Sequence, residues 1–147
     1  MFLKITHINS DQGLPNEQVH ALDQDKFGRL WIASPAGLAC YNGNSIKIFD
    51  TRSGLDCLGL RTICIASNGT VWIGTDRGLE AMDIHGNKVH LKFDFDWKYG
   101  IAESILIVES SIWVGTSVGL LKLSRINDKL KLELEEDFGL VKQLIHL

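Results

Sequence analysis

The stretch Leu30–Leu38, LWIASPAGL, is written twice more in this chain, as VWIGTDRGL at 71–79 and IWVGTSVGL at 112–120. The three tryptophans, Trp31, Trp72 and Trp113, are therefore 41 and 41 residues apart. A period of this length marks a repeat architecture, in which each supersecondary unit buries its apolar surface only against a neighbouring copy. Aligned on the tryptophans, segments 19–49, 60–93 and 101–134 fall into step. Each holds four short runs rich in apolar and β-branched residues, separated by turn signals. In the first copy these runs are 19–24, 29–34, 37–41 and 45–49, and no window carries a sustained 3.6-residue period.

The turn chemistry reads as hairpins. In SPAG, TDRG and TSVG a hydroxyl residue (Ser34, Thr75 or Thr116) opens the turn and a glycine (Gly37, Gly78 or Gly119) closes it. That order predicts a type I turn followed by a left-handed glycine in a bulge, with the hydroxyls capping the turn. DKFG at 25–28 and SNG at 67–69 serve the first hairpin of two copies, with Asp25 opening its turn. The third copy has ESS at 109–111 and lacks the glycine. A small residue stands two positions after each tryptophan (Ala33, Gly74, Gly115), on the same strand face, where it admits a close neighbour. The tryptophans themselves read as packing plugs between stacked sheets.

Four-stranded antiparallel sheets that are apolar on both faces and recur every 40–50 residues predict an all-β fold, a β-propeller. The WD and kelch signatures are absent. Val19, Asp25, Gly28, Leu30, Trp31, Ile32, Gly37 and Leu38 instead follow the pattern of one repeat family, with Ala33 and Ser34 standing where that pattern has Gly-Thr. The lead-in GLPNEQV at 13–19, repeated in part as GLD at 54–56, belongs to the same pattern. Over essentially its whole length the chain resembles the two-component regulator propeller repeat family.

The resemblance implies a sensor module of bacterial signalling proteins. Such modules often bind carbohydrate-derived ligands and pass a change in subunit arrangement to output domains, none of which is found in this chain. It also implies a periplasmic setting. The start, MFLKITHINSDQ, has no apolar core of a secretory signal, and three unpaired cysteines (Cys40, Cys57, Cys64) lean towards the cytoplasm, so localisation stays open.

The ends read as parts of further blades. LKITHINSDQGL (3–14) aligns with NSIKIFDTRSGL (44–55), placing an outer strand at 3–9, and GLVKQLIHL (139–147) places a first strand at 142–147. The expectation is a single partial propeller over 1–147: three full blades at 19–49, 60–93 and 101–134 plus two flanking strands. Rings need four to eight blades, so completion by homo-oligomerisation competes with a fragment of a longer receptor.

The residues point away from several chemistries. A net charge of −3 leaves no electrostatic footprint for nucleic acid. The cysteines and the five histidines show neither metal-ligand spacing nor a disulfide framework, so no metal or cofactor is expected. No catalytic constellation stands out; His20, on an innermost strand, is the nearest to one. The ligand-binding candidates sit on the face formed by loops 9–18, 50–59, 94–100, 34–37, 75–78 and 116–119. There the segment DFDWKYG (94–100) departs from the repeat and offers Trp97, Lys98 and Tyr99, with Asp76 and Arg77 on the next loop. The reading is a non-enzymatic ligand-sensing or protein-interaction propeller. Its alternatives are a lyase-like enzyme working from a central channel and a pure assembly scaffold.

Overall fold

Strand-forming runs and tight turns dominate the chain, and the computed structural model describes residues 13, 18–56, 59–126 and 129–137. The strands expected at 3–9 and 142–147 lie outside the described residues. The first sheet is a simple meander of β1 (Ala21–Gln24), β2 (Leu30–Ser34), β3 (Gly37–Tyr41) and β4 (Ile46–Phe49), in that order. A 3-10 turn at Thr51–Ser53 leads towards the second meander, β5 (Leu60–Ile65), β6 (Val71–Thr75), β7 (Gly78–Met82) and β8 (Lys88–Val89). After β9 (Lys92–Phe93) comes the third, β10 (Ala102–Val108), β11 (Ser111–Thr116), β12 (Gly119–Ile126) and β13 (Lys129–Asp137). All pairings within the three meanders are antiparallel. These are three propeller blades, short of a closed ring.

One strand departs from the expected pattern. The second copy's outer strand stops after Val89, and β9 instead pairs in parallel with β13, making the third sheet five-stranded. Burial explains the switch. Leu91 and Phe93 pack into the same core as Leu130 and Leu132 of the third sheet, which a continuation along β7 would leave unfilled.

The two sheet-to-sheet junctions are built alike. Trp31 shares one core with Phe49 of its own sheet and with Ile63, Val71, Ile73 and Met82 of the next. Its ring stacks on Phe49 with centroids 5.5 Å apart. Trp72 shares the second core with Ile112, Val114, Leu121 and Leu123 of the third sheet. Both tryptophans are buried, at 1% and 3% exposure. Trp113, in the same register, belongs to the last sheet's outward face and is half-buried. Gly74 shows why a small residue follows the tryptophan: a Cβ there would sit 2.5 Å from the Ala102 carbonyl oxygen of the adjoining sheet.

The first strands of neighbouring sheets lie against one another and are pegged by polar contacts. His20 Nδ1 donates to the Leu60 carbonyl over 2.9 Å, and Asp23 Oδ2 accepts from the Ile65 amide over 2.9 Å. Cys64 holds the position equivalent to Asp23 and meets the Ile107 backbone in the same way. Cys40 is buried and Cys64 half-buried, neither is in a disulfide, and burial raises the pKa of both thiols.

The hydroxyl caps form as expected. Ser34 Oγ, Thr75 Oγ1 and Thr116 Oγ1 each donate to the carbonyl three residues on, over 3.1, 3.0 and 2.8 Å. The closing glycines are less uniform than the sequence suggested. Gly37 and Gly78 have φ of 146° and 122°, but Gly119 is not in the positive-φ region. Its amide donates to Thr116 Oγ1 over 2.9 Å, a bond that keeps the third turn in ordinary backbone. Where the third copy lacks a glycine at the first hairpin, Glu109 takes φ of 56°, alone among the described non-glycine residues. A side chain in that region is strained. Glu109→Gly is therefore expected to raise the unfolding free energy by about 0.5–1 kcal/mol, read as a higher urea midpoint; an unchanged or lower midpoint would count against this account.

Candidate functional site

The segment linking the second and third blades, LKFDFDWKY at 91–99, alternates strictly between apolar and polar residues. Its burial alternates in step: Leu91, Phe93, Phe95 and Trp97 are half-buried and Tyr99 is fully buried, while Lys92, Asp94, Asp96 and Lys98 are exposed. The period of two puts four aromatic rings on one side. They pack edge-on in a staircase, with centroids 5.3 Å apart for Phe93–Phe95, 6.2 Å for Phe95–Tyr99, 5.5 Å for Trp97–Tyr99 and 6.2 Å for Phe93–Trp97.

Of the six loops assigned to one face, 75–78, 94–100, 116–119 and the end of 50–59 meet there. Trp97 lies over the β6–β7 turn, its indole 3.1 Å from where a Cβ on Gly78 would be, and its Nε1 donates to the Gly100 carbonyl over 2.9 Å. That turn carries Asp76 and Arg77. The Asp76 amide donates to the Gly59 carbonyl over 2.8 Å, tying in the loop before β5. Ser117, from the β11–β12 turn, donates to the Tyr99 carbonyl and accepts from the Ile101 amide, over 3.3 and 3.1 Å. Loop 9–18 is outside the described residues except at 13 and 18.

The five candidate residues take different places on this rim. Lys98 and Arg77 are exposed and Trp97 offers part of its ring. Tyr99 is 3% exposed, with its hydroxyl donating to Glu135 Oε2 over 3.1 Å. Burial, with the Glu135 hydrogen bond and charge, raises its pKa. Asp76 pairs with Arg61 over 2.6 Å, both about half exposed.

Some neighbours escaped the sequence reading. Arg61 sits in an ordinary strand, and only the fold brings it to Asp76. Beside the staircase a cavity of about 270 Å³ opens where the chain peels away from β7, lined by Leu79, Val89, Phe93, Glu80, Lys88 and His90 among others. Glu80 is buried at 7% exposure and its Oε1 accepts from the Asp56 amide over 2.7 Å. Lys88 Nζ pairs with Asp56 Oδ1 over 2.5 Å. The alternation of Phe93 and Phe95 with Trp97 and Tyr99 was legible and could have flagged the staircase. Among the described residues no three His, Cys, Asp or Glu side chains cluster as a metal site.

Comparison with known proteins agrees with this architecture. The family model for the two component regulator propeller matches residues 13–36 and 54–77. No curated protein matches the chain. Among solved structures, the extracellular domain assigned to a hybrid two component system of B. thetaiotaomicron superimposes with a TM-score of 0.64 at 23% identity, over 80% of this chain and 17% of that one. The extracellular domain assigned to a one component system of the same organism gives 0.71 at 16% identity, over 90% and 18%. Virginiamycin B lyase from Staphylococcus aureus gives 0.64 at 15% identity, over 81% and 42%. The chain thus spans under a fifth of the sensor domains and less than half of the lyase, and these likenesses establish a shared propeller fold. With three blades hung on tryptophans 41 residues apart, this is a β-propeller chain in which residues 13–36 and 54–77 match the two component regulator propeller repeat.

Proposed function

We propose that the chain is a non-enzymatic ligand-sensing module, and that a carbohydrate-derived ligand lies across the rim of Trp97, Lys98, Asp76 and Arg77. The observation that carries this reading is the placement of Trp97. On a loop that departs from the repeat, its ring is half open above the Gly78 turn, with the exposed Lys98 beside it. An aromatic face next to charged donors and acceptors suits the C–H face and hydroxyls of a sugar ring. Other carboxylates serve structure: Asp25 binds Trp31, Asp23 binds the Ile65 amide, and Asp56 pairs with Lys88. That use of acidic groups favours a binder over a lyase-like enzyme. His20, the inner-strand candidate, has its Nδ1 engaged with Leu60.

A panel of oligosaccharides tested by thermal shift and tryptophan fluorescence examines the reading. One class is expected to raise the melting temperature, with Trp97→Ala and Lys98→Ala each weakening binding about tenfold or more, equal to about 1.4 kcal/mol. Lys98 is exposed, so its variant keeps the fold even if Trp97→Ala weakens it. No response to any glycan would favour an assembly scaffold, and cleavage of a glycan would favour an enzyme.

A further inference from the structure

The junction between the first and second sheets carries charge that the repeat does not ask for. In the first sheet the cross-strand row through the tryptophan is Trp31, Cys40 and Lys47; in the second it is Trp72, Ala81 and Val89. Two residues before the tryptophan stand Arg29 in one copy and Thr70 in the other. The second sheet completes its row with an alanine and a valine that pack into the core. The first sheet puts a guanidinium and an ammonium at the matching positions, and a cavity of about 220 Å³ opens there.

The walls of this cavity are held in place from both sheets. Its inner side is Trp31, Cys40 and Phe49, at 1%, 7% and 4% exposure. Its outer side is Asn42, Ser45 and Lys47 of the first sheet, facing His85 and Gly86 of the β7–β8 turn. Arg29 Nη2 donates to the Ile84 carbonyl over 3.1 Å and ties that turn to the first sheet. A Cβ on Gly86 would come within 2.6 Å of the Phe49 ring, so the turn sits directly on it. Asp83 Oδ1 accepts from the amides of His85 and Asn87, both over 2.9 Å, which fixes the turn itself.

The lining is rich in donors and has no carboxylate among the described residues. Asp25 is spent on Trp31, Arg29 and two amides, and Asp83 on its own turn. Lys47 Nζ lies 5.2 Å from the Phe49 ring centroid and joins none of the ion pairs among the described residues. Asn42 Oδ1 accepts from the amides of Asn44 and Ser45, which leaves its Nδ2 as a spare donor. Every lining residue falls between 29 and 86, within two sheets already packed on one another. β3 and β7 run from the Trp97 rim to turns 42–45 and 83–87, so the cavity opens at the other end of the sheets.

We infer that this cavity is a second binding site, for a small molecule with one flat apolar ring and one anionic group, a carboxylate or a phosphate ester. The ring lies against Trp31, Cys40 and Phe49, and the anion takes hydrogen bonds from Lys47, His85 and Asn42. Charged donors without a competing carboxylate favour an anion over a cation or a neutral group. The volume is below the roughly 300–1,000 Å³ of sites for drug-sized ligands, which limits the occupant to a single ring.

Amide shift mapping of the 147-residue chain with benzoate, phenyl phosphate, inorganic phosphate and benzyl alcohol tests this. Benzoate and phenyl phosphate are expected to shift the amides of Lys47, His85 and Gly86, and to bind more tightly than the other two. Lys47→Gln and His85→Gln, both at exposed positions that keep the packing, are each expected to weaken binding about threefold, and together about tenfold. Lys98→Ala is expected to leave it unchanged, which separates this site from the Trp97 rim. No shift from either ring-bearing anion at tens of millimolar overturns the inference. Inorganic phosphate binding as tightly as phenyl phosphate overturns the role of the ring, and benzyl alcohol matching benzoate overturns that of the anion. Binding indifferent to both substitutions puts the ligand elsewhere and overturns the site.

Discussion

Replacing Trp72 by alanine is expected to lower the unfolding free energy by about 3–5 kcal/mol, while the same change at Trp113 costs about 1 kcal/mol or less in dilute solution. The two residues occupy one repeat position and differ only in what faces them. Trp72 is 3% exposed and plugs the core between the second and third sheets, against Ile112, Val114 and Leu121. Its removal leaves a cavity bounded by two sheets whose hydrogen-bonded backbones resist collapse. Among the described residues no sheet packs on the Trp113 face, and the ring is only half-buried, so water fills the space it vacates. Urea denaturation at low protein concentration, below any self-association, gives both numbers. Equal costs at the two sites would contradict the stacked-blade account.

Asp25→Ala is expected to cost about 2–3 kcal/mol at neutral pH. The carboxylate is 6% exposed and is saturated with donors. Oδ2 accepts from Trp31 Nε1 over 3.0 Å and from Arg29 Nε over 2.7 Å, and Oδ1 accepts from the amides of Phe27 and Arg29 over 2.9 and 3.0 Å. Arg29 in turn donates from Nη2 to the Ile84 carbonyl of the second sheet over 3.1 Å, so the network spans a junction. Alanine would leave the buried indole N–H without its acceptor.

Burial works to raise the Asp25 pKa, but the hydrogen bonds from Trp31, Arg29 and Phe27 outweigh it and hold the group below its ordinary value. A carboxyl whose folded pKa is depressed stabilises the fold fully above the unfolded value of about 4 and loses that contribution as pH falls through the folded value. Wild type should therefore lose stability on acidification below about pH 4–5. Asp25→Asn, which cannot ionise, should show a flatter profile there and a smaller deficit at pH 2 than at pH 7. Parallel acid profiles for the two proteins would assign the acid sensitivity to other groups.

Asp25 also shows how far the sequence could be read. Its role in opening the turn was visible from its place before Phe27 and Gly28. Its bond to Trp31 was not, because that requires knowing that the β1–β2 hairpin folds the carboxylate back over the indole. The second repeat has Ala66 at the equivalent position, so the device is not copied and the pattern offered no hint. The rim divides in the same way. Trp97, Lys98 and Tyr99 stood out as a departure from the template, but which of them is open to a ligand follows from Glu135 and Gly78, residues distant in sequence. Tyr99 is drawn inward because its hydroxyl finds Glu135 and its ring finds Phe95 and Trp97.

The sequence by itself determined the unit and its count: a 41-residue period, four strands per copy, hydroxyl-capped turns and a tryptophan plug in each. These are local or periodic properties, set by which side chains alternate and which turns the backbone can make. Only the tertiary structure decided that Trp113 lies on an open face while its two equivalents are buried, that Lys92 and Phe93 leave the second blade for the third, and that Arg61 meets Asp76. Those outcomes depend on which surfaces of the stack have a neighbour to bury against, and a repeat reads the same whether or not its neighbour is there.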